Sequence, residues 1–297
     1  MARVQRRLAA NAPGPFYVDD SCIDCGTCWQ FDPLHYAPSG AASHVFRQPQ
    51  GTDEQRQALL ALQACPVAAI GTTPDLQPPV DGFPSPVCRH RAGDVYYCGW
   101  ASRRSFGASS WLIVRPSGNV LVDSPRWSAP LARRIQALGG LATMVLTHRD
   151  DVADHARWAR AFGCRRWIHA ADAEAAPEAE ARLHGVEPLA LDSDLQLIPT
   201  PGHTPGSMVA VFGRSRQILF SGDHLWWNPE RQVVVASRQY CWWDWTEQLR
   251  SIRTLLPLDV AWLLPGHGHS HGFEPGAWRL ALEQTLAWAQ SSLADPG

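Results

Sequence analysis

The chain has 297 residues, a formal net charge of −2, 18% charged residues and eight cysteines, and all 26 of its basic residues are arginine. The absence of lysine excludes Schiff-base and phosphate-loop lysine chemistry, and the near-neutral balance does not suit a surface that neutralises many phosphates, so no nucleic-acid partner is expected. With 45% apolar residues a folded core is assured, and no apolar run approaches the ~20 residues that cross a bilayer, so a soluble protein with no membrane partner is expected.

The opening Met1 to Arg7 lacks the apolar stretch of a secretory signal and reads as a ragged extension. Eight cysteines then read as thiols or metal ligands in a reducing compartment, the cytoplasm or a plastid stroma, rather than as disulfides. Cys22, Cys25 and Cys28 follow at intervals of three, and Cys65 stands 37 positions later with Pro66 behind it. Three thiolates on one tight loop and a distant fourth before proline suit a cubane iron–sulfur cluster, with Gly26 letting backbone amides turn toward sulfur. A four-cysteine zinc knot would show two close pairs instead. Thr52 to Gln55 read as a capping box opening a helix whose apolar side is Leu59, Leu60 and Leu62, and which ends before Cys65.

This cysteine unit resembles bacterial-type ferredoxins. A two-cluster ferredoxin continues its first motif with a further cysteine and proline, whereas here the place reads Cys28-Trp29-Gln30-Phe31-Asp32-Pro33. The resemblance therefore implies one cluster, 4Fe–4S, on Cys22, Cys25, Cys28 and Cys65. Two roles suit it: exchanging electrons with a partner, or stapling a small domain.

Five prolines fall in the sixteen residues from Thr73 to Cys88. Such a stretch reads as a stiff connector, dividing the chain into a cysteine unit (1–72), a linker (73–87) and a second unit (88–297). In the second unit Trp111 to Val114, Val120 to Val122, Met144 to Leu146, Leu195 to Ile198, Met208 to Phe212, Ile218 to Phe220 and Val260 to Leu264 read as buried strands. Pro130 to Leu138, Ala153 to Phe162, Glu247 to Leu256 and Gly276 to Gln290 read as helices, so an α/β domain is expected. Four segments follow strands in it: Thr147-His148-Arg149-Asp150-Asp151-Val152-Ala153-Asp154-His155, Pro201-Gly202-His203-Thr204-Pro205-Gly206-Ser207, Ser221-Gly222-Asp223-His224 and Leu264-Pro265-Gly266-His267. Any one histidine or aspartate here would pass for a turn or core residue. Together, at successive strand ends, they form a ligand set for a divalent metal with a position open to water.

The second unit resembles the metallo-β-lactamase superfamily over about residues 88–297, carried by the Pro-Gly-His-Thr-Pro-Gly-Ser turn, the Ser-Gly-Asp strand end and the terminal Leu-Pro-Gly-His. The resemblance implies an αββα sandwich with metals at one sheet edge and a buttressing aspartate at Asp123. The whole arrangement resembles ferredoxin–metallo-β-lactamase fusions of cyanobacteria and plastids. The family's leading motif, His-x-His-x-Asp-His, is altered: two residues are inserted and no second histidine exists. The family pattern implies one ion on Asp154, His155, Asp223 and His267, and a second on His148 and His203 with Asp150, Asp151 or water as third ligand. A carboxylate for imidazole favours iron or manganese over zinc, and a comparable exchange occurs in flavodiiron proteins.

Five tryptophans, Trp226, Trp227, Trp242, Trp243 and Trp245, suit a substrate wall, a face toward the cysteine unit, or core packing. Arg103 and Arg104 suit either solvent or an anion. The expected function is metal-dependent hydrolysis of a small ester, thioester, lactone or phosphoester, with Asp154 orienting the nucleophile. The alternatives are a non-haem iron redox enzyme fed by the cluster, flavodiiron-like or sulfur-oxidising, and a non-catalytic redox or metal sensor.

Overall fold

A computed structural model describes residues 2–74 and 76–294. The N-terminal segment is tied down. Asn11, buried, accepts from the Val18 and Val45 amides at 2.9 and 3.0 Å and donates to the Leu8 and Val18 carbonyls, so residues before the first strand are part of the small domain. That domain consists of β1 (Phe16–Val18), α1 (Thr27–Phe31), a hairpin of β2 (Tyr36–Ser39) and β3 (Ala42–Val45), α2 (Gly51–Ala64) and β4 (Ile70–Thr72). β1 and β4 pair antiparallel, Phe16 opposite Thr72. One side of α2, through Ala58, Leu59 and Ala61, packs on Phe16, Tyr36 and Val45. Its other side, through Leu60 and Ala64, joins the larger core beside Phe83 and Tyr97.

The stretch between the units is docked. Phe83 is buried between the rings of Phe31 and Tyr97, and the first strand of the large domain begins at Ser85 with Pro86 in it. Proline is tolerated there because this strand lies at a sheet edge.

Two sheets dominate the described residues of the large domain. The first contains β5 (Ser85–His90), β6 (Gly93–Tyr97), β7 (Trp111–Val114), β8 (Val120–Val122), β9 (Thr143–Val145), β10 (Arg165–His169) and β11 (Ala181–Leu183), neighbours in that order. β5 to β8 pair antiparallel. From β8 onward pairing is parallel, because α3 (Ala129–Ala137) and α4 (His155–Phe162) carry the chain back between strands. The second sheet begins with β12 (Leu189–Ala190), β13 (Leu195–Pro199), β14 (Met208–Phe212) and β15 (Gln217–Gly222). A separate hairpin, β16 (Trp226–Asn228) with β17 (Val233–Val235), and α5 (Trp245–Thr254) then lead to β18 (Val260–Pro265), parallel to β15; β19 (His271–Gly272) and α6 (Ala277–Ala294) follow.

The strands of the second sheet are covered on both faces, which explains their continuous apolar runs. Along β14, Met208, Ala210 and Phe212 face the first sheet while Val209 and Val211 face α5 and α6, the two-residue alternation of a strand. The order is helix, sheet, sheet, helix. Every segment singled out by its histidines and aspartates leaves the C-terminal end of a strand: β9, β13, β15 or β18.

Candidate metal centres

The four cysteines of the small domain face an apolar cavity. Among the described residues no three of their sulfurs lie within 4.8 Å of one another. A single zinc, at 2.3 Å from each sulfur, would hold them about 3.8 Å apart, closer than these sulfurs lie. The Ser43 and Ala69 amides donate to Cys22 Sγ and Cys65 Sγ, each at 3.4 Å, and Thr27 Oγ1 lies 3.2 Å from Cys25 Sγ. Burial pushes the Cys25 thiol up to about 11 and raises Cys28 and Cys65 as well. Iron bound here would replace those protons and leave thiolates. Asp32, where a two-cluster protein carries a further cysteine, is buried against His35 Nδ1 at 2.8 Å, and His35 Nε2 reaches Glu54 at 3.2 Å. An internal hydrogen-bonded chain, Asp32–His35–Glu54, stands at the place of a second cluster's ligand.

The second centre lies where the strand ends of the large domain meet. Asp123, at the end of β8, accepts from the Thr147 amide at 2.8 Å and the Thr147 hydroxyl at 2.9 Å; that hydroxyl lies 3.0 Å from His148 Nδ1. When the imidazole is neutral, Nδ1 donating to Thr147 leaves the lone pair of His148 on Nε2, which points into the site. His203 Nδ1 donates to the Tyr240 carbonyl at 2.6 Å, which frees its Nε2 in the same way. His148 Nε2, His203 Nε2 and both carboxylate oxygens of Asp151 are buried without a hydrogen-bond partner.

These atoms converge. His148, Asp150 and His203 form one group with ligand atoms within 4.8 Å of one another, and His148, Asp151 and Asp223 form another. Asp223 Oδ2 is 3.6 Å from His148 Nε2 and 3.8 Å from His203 Nε2, and Asp223 Oδ1 is 2.8 Å from His267 Nδ1. Gly266 makes this approach possible: a Cβ there would sit 2.7 Å from both Asp151 Oδ2 and Asp223 Oδ1. Burial alone would lower the two imidazoles, but Asp151 and Asp223 carry His148 up to about 10, and Asp223 carries His267 up to about 9. Burial and the adjacent Asp223 raise the Asp151 carboxyl, whereas His267 and His148 hold Asp223 well below the usual range despite burial. Protons here do the neutralising that a cation would otherwise do.

The structure does not bring Asp154 or His155 to these groups. Asp154 precedes α4, where its Oδ2 accepts from the Trp127 amide at 2.7 Å and its Oδ1 lies 3.4 Å from Arg104. His155 Nδ1 faces Arg166 at 3.2 Å. The cause is local: a short 3-10 turn, Arg149–Asp151, precedes the helix, and it turns Asp151 inward while carrying Asp154 past the site. His224 is buried with its Nε2 3.4 Å from Ser251 on α5, and burial holds its imidazole down to about 3. His269 lies against Trp29 at 5.1 Å and His271 stacks on Trp227 at 3.6 Å.

Asp172 escaped the sequence reading. Fully buried, it accepts from the Thr204 hydroxyl at 2.5 Å, the Arg149 amide at 3.0 Å and the Gly206 amide at 3.1 Å, so one carboxylate anchors the turns of both His148 and His203. Its signal was an aspartate just after a strand, without the glycine or proline that marks three of the four singled-out segments. The tryptophans divide: Trp227 is core, while Trp242 and Trp243 are exposed, Trp242 6.1 Å from the His203 ring.

One loop joins the two centres. Thr27 donates to the Gly107 carbonyl at 2.9 Å, and a Cβ on Gly107 would lie 2.8 Å from Cys25 Sγ. The preceding Phe106 presents its carbonyl to His267 Nε2 at 3.4 Å.

Residues 18–72 match the family model described as the 4Fe-4S single cluster domain of Ferredoxin I, and residues 103–267 match that of the metallo-beta-lactamase superfamily. Hydroxyacylglutathione hydrolase of Acidiphilium cryptum (strain JF-5) is 33% identical over 108 residues, 35% of this chain and 44% of that protein. The same-named protein of Anaeromyxobacter dehalogenans (strain 2CP-C) is 34% identical over 133 residues, 42% and 49%. The chain thus spans about half the length of the curated relatives it matches. Among solved structures, the DIM-1 metallo-beta-lactamase exposed to ceftazidime aligns with TM-score 0.53 at 19% identity, over 70% of this chain and 96% of that one. The mono-zinc FIM-1 enzyme of Pseudomonas aeruginosa aligns with TM-score 0.52 at 17% identity, over 72% and 98%. At those identities the likeness is one of fold, and it agrees with the sandwich. By the match of more than half its length, the chain belongs to the metallo-β-lactamase superfamily, and it joins that domain to a single-cluster ferredoxin domain.

Proposed function

We propose that the chain is a metal-dependent hydrolase of a small ester, thioester, lactone or phosphoester, with a 4Fe–4S cluster on Cys22, Cys25, Cys28 and Cys65. The observation that carries this reading is the set of unpartnered buried atoms, His148 Nε2, His203 Nε2 and the two Asp151 oxygens, gathered about Asp223. Such atoms are costly in a core unless a cation takes them. We assign one ion to His148, Asp150 and His203, and a second to Asp151, Asp223 and His267, with Asp223 between them. A divalent ion held there supplies Lewis acidity, lowering the pKa of coordinated water and polarising the scissile carbonyl or phosphoryl oxygen. Around it Asp123 and Thr147 orient His148, the Tyr240 carbonyl orients His203, and Asp172 fixes both turns. Phe106, Trp242 and Trp243 offer exposed rings to the apolar part of a substrate. A thioester is favoured by the likeness to the hydroxyacylglutathione hydrolases, and the carboxylate Asp150 favours iron or manganese at the first position. The cluster suits a reducing compartment.

Protein loaded with zinc or manganese is expected to hydrolyse simple S-acetyl thioesters. Asp223→Ala is expected to abolish hydrolysis and metal binding by the large domain while the visible absorption of the cluster remains. Survival of metal and hydrolysis in that variant overturns the ligand assignment. The loop that touches both Cys25 and His267 favours a second reading, a redox-active ion served by the cluster; non-cluster irons that oxidise when oxygen is admitted would support it over hydrolysis.

A further inference from the structure

An open cavity of about 600 Å³ adjoins the second centre, and Arg104, Arg149, Arg157 and Arg160 line it together with Asp150 and Asp154. Asp150 belongs both to this lining and to the group with His148 and His203. The cavity is therefore within reach of the far end of a substrate whose reacting carbonyl lies at the metal site.

The charges of the lining are unbalanced. Asp150 is committed to the metal in the reading above, and Asp154 to the Trp127 amide at 2.7 Å. Arg104 is 75% exposed and meets Asp154 only at 3.4 Å, a pair that solvent renders weak. Arg149 is held by Glu174 at 2.9 Å. Arg157 and Arg160 have no carboxylate within ion-pair distance among the described residues, and they lie one turn apart on α4, where like charges repel. Arg157 is also fixed in place: its guanidinium lies over the Trp127 ring at 4.7 Å, which leaves its edge free to donate. Two guanidiniums without a carboxylate partner, one of them fixed over Trp127, thus line the cavity beside the candidate metal site.

We propose that this cavity is an anion subsite, and that the substrate is an ester or thioester with carboxylate or phosphate groups a few bonds beyond its scissile carbonyl. Arg157 and Arg160 bind those groups through their planar forks, and Arg104 turns from Asp154 to complete the set. The proposal rests on the hydrolytic reading, because that reading places the scissile bond at the metal.

The test compares three thioacetates on the whole, metal-loaded protein: those of 2-mercaptoethanol (neutral), mercaptosuccinate (two carboxylates) and 2-mercaptoethyl phosphate. One of the two anionic esters is expected to exceed the neutral one in kcat/KM by at least about tenfold, the worth of a single charge-assisted hydrogen bond, and the better anion names the group. In Arg157→Gln/Arg160→Gln, and more weakly in Arg160→Gln alone, the anionic-to-neutral ratio falls toward one, with unchanged cluster absorption reporting a folded chain. Anionic esters no better than the neutral one, or a preference that survives the double variant, overturns the subsite. If none of the three is hydrolysed, the hydrolytic reading fails. Calorimetric titration of N-acetylaspartate, which cannot be cleaved in this way, then decides the subsite alone: binding lost in the double variant supports it, and equal or absent binding overturns it.

Discussion

Asp151 and Asp154 stand three residues apart, and exchanging each for asparagine should give opposite results. Asp154 accepts from the Trp127 amide at 2.7 Å and is 29% exposed at its side chain. Hydrogen bonds to charged groups contribute about 1.5–3 kcal/mol, and this exposure puts Asp154→Asn near the lower end, about 1.5 kcal/mol. For a domain of this size that is a fall of about 3–6 °C in Tm. Metal content should stay within about twofold, because the carboxylate touches no candidate ligand. Asp151 is fully buried, with neither oxygen partnered, and burial together with the adjacent Asp223 raises its affinity for a proton. Asparagine there removes an anionic ligand. Loss of partners beyond the ligands costs metal sites about 10–100-fold, so Asp151→Asn should weaken binding by at least about 100-fold. The metal-free form should melt no lower than the parent, since a buried carboxylate crowded by a like charge has been removed. Metal retained after dialysis against graded chelator, and melting curves with and without metal, measure both effects. Metal lost from Asp154→Asn and kept by Asp151→Asn would refute the assignment.

Gly266→Ala keeps every ligand yet places a Cβ 2.7 Å from both Asp151 and Asp223; metal affinity should drop at least about tenfold, the lower range for disturbed ligand positioning. Cys65→Ser should bleach the visible absorption while the histidine and aspartate site still takes up metal, and an unchanged spectrum would contradict the ferredoxin reading. Gly107→Ala strains a residue at φ +89 and crowds Cys25 Sγ and Thr27 Oγ1 at 2.8 and 2.6 Å. Its cluster should bleach faster in air than the parent's, although the substitution lies in the other domain.

Much of the large domain was legible because its strands are buried on both faces and so appear as unbroken apolar runs; Met208–Phe212 is one, with bounds as expected. The edge strand Ser85–His90 was not, since an edge tolerates proline and polar residues and leaves no periodic signal. Histidines following glycine and proline turns announced their segments. The segment from His148 to His155 was harder. Four acids or imidazoles beyond His148 compete there, and only the 3-10 turn at Arg149–Asp151 decides that Asp151 faces inward. Contacts between distant parts of the chain, such as Gly107 against Cys25 or Asp172 beneath two turns, carry no local signature at all.

The most direct measurement is a metal analysis of anaerobically purified protein, coupled to a thioester hydrolysis assay on the same sample. The account predicts about four irons per chain for the cubane, up to two further divalent ions, and hydrolysis that Asp223→Ala abolishes together with those ions but not with the cluster absorption. Two further irons that oxidise on exposure to oxygen, in protein that hydrolyses no ester or thioester, would contradict it.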